Sequence, residues 1–200
     1  CGNGLRCVAA QVAAALGSRE VLIATDAGLR SCEIIEADHE RGHYQVRIAM
    51  GPARLLGERE PAAGAGRRFL GVSMGNPHAV CFVAAHEDPE ALARGLGPGI
   101  EVDPAYQPAR TNVEFARVEG NELLLWVWER GVGITAACGT GACATAAAAV
   151  RSGLLPADTD IVVHLPGGPL TIRVPSDPSG QVMMTGAAVI APRGVKFTRP

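Results

Sequence analysis

The chain has 200 residues, 48% apolar and 19% charged, which suits one large or two small packed domains and excludes a disordered chain. Eighteen Lys and Arg against twenty Asp and Glu leave a net charge of −2, and no basic block is interleaved with aromatics, so the electrostatic footprint of a nucleic-acid binder is absent. The longest apolar run, residues 142–150, is too short to span a bilayer and no cationic leader opens the chain, which predicts a soluble, cytoplasmic protein with no membrane partner.

Aromatic residues are only 4%, whereas Gly (25) and Pro (14) are abundant, predicting a core of small aliphatic side chains and many tight turns. In chain order, Leu5, Val8, Val12 and Leu16 recur at helical spacing and predict a helix over residues 2–16, with that stripe as its apolar face and Gly17-Ser18 as its stop. Residues 20–25, 29–36 and 44–50 read as an antiparallel meander. Residues 51–68, rich in Gly, Pro and charge, read as a linker between domains. Strands are expected at 69–74 and 79–84, then a helix opened by Asp88-Pro89 and closed at Gly95 or Gly97, then strands at 112–118 and 122–129. Residues 139–154 predict a second long helix that is apolar or small nearly all round and so has no solvent side. Short strands at 161–165, 170–174, 181–185 and 187–190 would wrap it.

The two long helices open alike, on Cys1-Gly2-Asn3-Gly4 and Cys138-Gly139-Thr140-Gly141, so one unit is used twice. Glycines in a first turn leave the backbone N–H groups unobstructed at the positive end of the helix, which makes each segment a cradle for a carboxylate. The same field is expected to lower the pKa of a neighbouring thiol. Two thiols facing each other across one carboxylate would invert an α-amino acid: one thiolate takes the α-proton, the other thiol delivers a proton from behind, and the cradle N–H groups carry the enolate-like charge.

Cys1-Gly2-Asn3-Gly4-Leu5-Arg6-Cys7, Gly75-Asn76-Pro77-His78-Ala79-Val80, Arg110-Thr111-Asn112-Val113-Glu114-Phe115, Glu129-Arg130-Gly131 and Ala137-Cys138-Gly139-Thr140-Gly141-Ala142, in that order, resemble the motif set of diaminopimelate epimerases. The resemblance implies an α+β fold of two pseudo-symmetric domains, each a mixed sheet around a central helix, with the active site between them. It also implies that the first domain is truncated here, because family chains carry an N-terminal stretch ahead of the first catalytic cysteine. Residues 1–60 would then be the remainder of the N-terminal domain, 61–188 the C-terminal domain, and 189–200 a tail returning to the first. The implied activity is conversion of LL-2,6-diaminoheptanedioate to the meso form, for lysine and peptidoglycan synthesis, independent of PLP or any other cofactor, by a homodimer.

On the same resemblance Cys1 and Cys138 are the catalytic pair. Gly2, Asn3, Gly139 and Thr140 would meet the carboxylate at the reacting carbon. Asn76, Asn112 and Arg130 would read the far end of the substrate, Glu129 would pair with an ammonium, and His78 with Glu129 would modulate the cysteines.

Cys7 and Cys143, inside the helices, and Cys32 and Cys81, in strands, read as buried packing thiols. The spacing of Cys1 to Cys7 and of Cys138 to Cys143 is wider than a zinc knuckle, so no metal is expected. His39, His43, His86 and His164 read as isolated surface or turn residues. The alternatives are a proline or hydroxyproline racemase, whose cyclic substrate would not need the distal clamp, and a thiol-switch or metal-binding protein, which predicts bound metal or a working disulfide.

Overall fold

In the computed structural model, which describes residues 2–25 and 28–191, three α-helices pack on one twelve-stranded sheet. Helix α1 (Gly2–Leu16) leads into a meander of β1 (Glu20–Thr25), β2 (Gly28–Asp38) and β3 (His43–Ala49). The middle of the chain supplies β4 (Arg54–Arg59), β5 (Phe69–Ser73), β6 (Pro77–Phe82), α2 (Pro89–Glu101), β7 (Asn112–Glu119), β8 (Glu122–Glu129) and the short β9 (Gly133–Ile134). Helix α3 (Gly139–Arg151) then leads into a second meander of β10 (Asp160–Leu165), β11 (Gly168–Arg173) and β12 (Met183–Val189).

The spatial order is β1-β2-β3-β12-β11-β10-β8-β7-β6-β5-β4, with β9 paired to β8. The echo in the sequence is therefore an echo in topology: a helix and its three-strand meander occur twice, and the last strands of the two meanders pair antiparallel, from Met183 opposite Ala49 to Val189 opposite His43. Sheet and helices alternate as an α+β architecture, as expected.

Helix α3 is the pivot of the packing. Its run from Ala142 to Ala149 is fully or almost fully buried, Thr145 included, and it lies against the strands of the second meander, against β5 to β8 in the middle of the sheet and against α1. Alanine is what permits this: a helix without long side chains lets the sheet approach on several sides while still burying apolar area and keeping high helix propensity. On the opposite face of β7 and β8 lies α2, over a second cluster in which Phe69 and Phe115 meet edge to face at 5.6 Å. No helix of the described residues is long and apolar enough to cross a membrane.

Several expectations are corrected. Helix α1 has the expected bounds but turns a different face inward: Gly2, Arg6, Ala9, Ala10 and Ala13 are buried, whereas Val8 and Leu16 are exposed and Leu5 and Val12 only half-covered. Close approach to the sheet outweighs side-chain hydrophobicity there. Arg6 donates from Nε to the Ala187 carbonyl at 3.1 Å and so stitches α1 to β12. Residues 51–68 are not a bare linker, because β4 pairs antiparallel with β5; its residues are all exposed, so it carries no alternation, and the register shifts between Leu55 and Gly57.

Helix α2 does not close at Gly95 or Gly97 but runs to Glu101. A Cβ on Gly97 would lie 2.6 Å from Cβ of Trp128, so this glycine is an approach point, not a stop. The strands expected at 181–185 and 187–190 are one, β12, running through Gly186, where a Cβ would lie 2.5 Å from Cδ2 of Leu170 and 3.2 Å from the Arg6 guanidinium. Cys7 is exposed, while Cys32, Cys81 and Cys143 are buried free thiols as expected. Of the expected C-terminal tail, residues 192–200 lie outside the described residues.

Candidate active site

Cys138 is the N-cap of α3. Its backbone is extended, its carbonyl accepts the first helical hydrogen bond from the Ala142 N–H at 2.9 Å, and its Sγ accepts from the Gly141 N–H at 3.4 Å, as a serine or threonine hydroxyl does at an ordinary cap. A Cβ on Gly141 would sit 3.2 Å from that sulfur and 3.1 Å from Oε1 of Glu114, so the first turn closes this tightly only around glycine.

The start of α1 comes to the same place. A Cβ built on Gly139 would lie 3.5 Å from Cα of Gly2, one on Gly2 would lie 3.6 Å from Cα of Gly139, and Met184 packs beneath both. Two helix N-termini, each with unpaired N–H groups and partial positive charge, thus converge beside the Cys138 thiol. Cys1 lies outside the described residues. Asn3, next along, holds its Oδ1 buried with no partner among the described residues, an acceptor whose desolvation is uncompensated unless a ligand supplies a donor.

Around Cys138 the side chains are linked. Oγ1 of Thr140 lies 3.7 Å from the sulfur; Nδ2 of Asn76 donates to that hydroxyl at 3.3 Å; Oδ1 of Asn76 accepts from Nε2 of His78 at 3.2 Å; and Nδ1 of His78 meets Oε1 of Glu114 at 2.6 Å. The side chains of His78 and Glu114 are fully buried. Glu114 was not among the candidates: an acid in mid-strand on β7 has no local cue pointing to a histidine on β6, and its only signal is a charge set among the apolar Val113 and Phe115.

The sulfur's proton affinity runs opposite to expectation. Burial, followed by the carboxylates of Glu114 and Glu129, pushes the Cys138 thiol up to about 12, and the Gly141 N–H and Thr140 hydroxyl pull it down by less. Desolvation of a thiolate outweighs the helix N-terminus here, so Cys138 rests as a thiol, a proton donor. Burial likewise raises the Glu114 carboxyl, against the pull of His78.

The expected distal clamp is braced by the chain itself. Both ends of the Asn112 amide are occupied, Nδ2 donating to the Pro77 carbonyl and Oδ1 accepting from the Arg130 N–H, each at 2.9 Å. Asn112 therefore fixes the backbone at Arg130, whose exposed guanidinium donates to the Ala109 carbonyl at 2.5 Å. Glu129 accepts from the Thr135 hydroxyl. Glu101, also missed in the sequence, accepts from the Gly131 N–H at 2.8 Å and from Nε1 of Trp128 at 2.8 Å, so it locks the turn after Arg130 onto α2.

The diaminopimelate epimerase family model matches residues 70–191. The diaminopimelate epimerase of Bacillus licheniformis is 43% identical over 98% of this chain and 73% of its own length. The chain belongs to the diaminopimelate epimerase family. Its fold is shared more widely: a predicted epimerase from Pseudomonas aeruginosa aligns with a TM-score of 0.72 at 17% identity, covering 97% of this chain and 73% of that one, and a probable proline racemase from Agrobacterium radiobacter with 0.69 at 14%, covering 97% and 67%. As a member of the epimerase family the chain is an isomerase, and of the two converging helix starts that of α3 carries Cys-Gly-Thr-Gly at residues 138–141. Among the described residues no group of three or more His, Cys, Asp or Glu is placed to hold a metal ion.

Proposed function

We propose that this isomerase epimerises LL-2,6-diaminoheptanedioate to the meso form through Cys138 and Cys1, and that it does so in the cradle made by the two helix starts. The observation that carries this is the contact of Gly2 with Gly139 beside the Cys138 thiol, which aims two sets of backbone N–H groups at one spot. A carboxylate bound there is stabilised, and stabilised further when loss of the α-proton turns it enolate-like. In one direction the Cys1 thiolate takes the α-proton while the Cys138 thiol, held protonated by its burial, gives its own proton to the opposite face; the reverse reaction exchanges the roles.

Gly2, Asn3, Gly139 and Thr140 hold the reacting carboxylate, and the buried Oδ1 of Asn3 accepts from the ammonium beside it. Arg130, on a turn fixed by Asn112, takes the distal carboxylate bidentately, Asn76 braces Thr140 beside the reacting centre, and Glu129 pairs with an ammonium. His78 and Glu129 set the protonation of the cysteines. The homodimer belongs to the same reading and rests on the family resemblance, and sedimentation equilibrium tests it; the cytoplasmic setting rests on the short apolar runs of the sequence.

The decisive assay is α-proton exchange in deuterated buffer under reducing conditions, followed by NMR, with LL- and meso-diaminopimelate and with proline. Exchange confined to diaminopimelate is expected; exchange of proline alone would move the assignment to a cyclic imino-acid racemase. Cys138→Ala should lose at least about a hundredfold in epimerisation with its circular dichroism unchanged. Parental activity in that variant would remove Cys138 from the mechanism.

A further inference from the structure

Glu114 has no part in the roles assigned above, yet it stands at the head of an unbroken hydrogen-bonded chain that ends on the reacting sulfur. The chemistry of the Asn76 amide fixes the direction of the two middle links. Oδ1 of Asn76 can only accept, so the Nε2 of His78 that faces it carries a proton. Nδ2 of Asn76 can only donate, so the Thr140 hydroxyl accepts from it and keeps its own hydrogen to give, and Cys138 Sγ is 3.7 Å away. With Nε2 protonated, Nδ1 either donates to the Glu114 carboxylate or accepts from its carboxyl. Either way the pair holds two protons and no net charge, the state that complete burial of both side chains favours. A single proton on the pair would sit on Nδ1 against the carboxylate, strip Nε2, and turn the Asn76 amide and the Thr140 hydroxyl the other way round.

We propose that Glu114 is a positioning residue for this reaction: by holding Nδ1 of His78 it keeps the Nε2–H aimed at Asn76, and thereby aims the Thr140 hydroxyl as a donor at the sulfur of Cys138. The inference rests on the reading of Cys138 as a reacting thiol. That donor acts when Cys138 has given its proton away, since a thiolate gains most from a hydroxyl pointed at it. The sulfur otherwise faces Glu129 from β8, Glu114 from β7 and the Cys143 thiol on its own helix, with the His78–Glu114 pair from β6 and β7 behind Asn76. Keeping that pair neutral removes one of the opposing charges as well as orienting the donor.

Two measurements test this. In protein labelled with ¹⁵N in its histidine rings, Nε2 of His78 should be protonated at neutral pH; a bare Nε2 would overturn the proposal. The second is the rate of Cys138 alkylation by iodoacetamide at pH 8, located by mass spectrometry, which follows the thiolate fraction. Glu114→Leu and Thr140→Val should each slow it about tenfold, the equivalent of one pH unit, and the double variant should be no slower than the slower single one. Slowing that multiplies in the double variant would mean that Glu114 acts by some route other than Thr140, and the proposal would fall. If Glu114→Leu does not fold, the ring-nitrogen measurement on the unsubstituted chain still decides. Neither readout uses diaminopimelate, so active Cys138→Ala would sink the functional reading while leaving the hydrogen-bonded chain to be judged on these results alone.

Discussion

At Gly141, one hydrogen atom in place of a methyl group is what allows the thiol, the carboxyl and the helix to share a corner. A Cβ there would meet Oε1 of Glu114 at 3.1 Å and Sγ of Cys138 at 3.2 Å, both on buried side chains with little room to retreat. Gly141→Ala is expected to cost about 1–3 kcal/mol in urea unfolding and to lower epimerase activity together with it, because the N–H to sulfur contact is displaced. Unchanged stability and unchanged activity would show that the corner yields. Cys138, Thr140, Asn76 and His78 were legible because they stand in short ordered motifs, and the repeated Cys-Gly-x-Gly has a physical reason. Glu114 and Glu101 were not, because each takes its role from partners on other elements, His78 for one and the turn at Gly131 for the other. The direction of the Cys138 shift was misread for a related reason: a helix N-terminus is visible in sequence, but the burial that outweighs it is a property of the packed structure.

Elements whose signal is local came through with bounds close to those observed, among them α1 with its glycine stop and β8 with its apolar run from Leu123 to Trp128. Elements made by their neighbours did not. The exposed β4 exists because β5 offers it hydrogen bonds, and α2 passes through Gly97 with Trp128 packed against that glycine. Two substitutions in that helix separate the roles of its glycines. Gly97→Ala should cost about 1–3 kcal/mol through overpacking, whereas Gly95→Ala, with nothing within 4 Å of the new methyl, should gain up to about 1 kcal/mol through helix propensity. Equal effects would show that Trp128 moves aside.

Beside α2, Asp103 accepts from the Ala63 N–H at 3.0 Å and the Ala105 N–H at 2.9 Å, which ties the turn before β5 to the turn after α2 and holds the Asp103 carboxyl below its ordinary value. A carboxyl whose folded pKa is depressed contributes stability above its unfolded pKa of about 4 and loses it as pH falls through the folded value. The urea midpoint should therefore drop as pH falls below about 4, and less steeply in Asp103→Asn; an identical slope in the two proteins would assign the loss elsewhere.

For the molecule as a whole, the small-residue core predicted from composition is the core observed, and its thiols give it a pH signature. Burial raises Cys32, Cys81, Cys138 and Cys143, and pushes the Tyr106 phenol up to about 12. Groups whose folded pKa is raised contribute stability that is complete below their unfolded value, about 8.5 for a thiol, and is lost as pH climbs through the folded one. Stability should decline between pH 8 and pH 10.5, and the decline should be shallower in Cys143→Ala; the same fall in both would rule out that thiol as a contributor.

The pairing of β3 with β12 joins residues 43–49 to residues 183–189, so the two helix starts are brought together by a contact between distant parts of the sequence. Closing so long a loop costs entropy before any contact repays it, and such pairings form late and slowly. On the ribosome, α1 and its meander emerge with the inner edge of β3 still unmatched, an open template for any stray strand until β12 is made. Every catalytically competent copy is then one whose synthesis has passed β12, so a chain stalled or clipped before Met183 cannot carry out half a reaction.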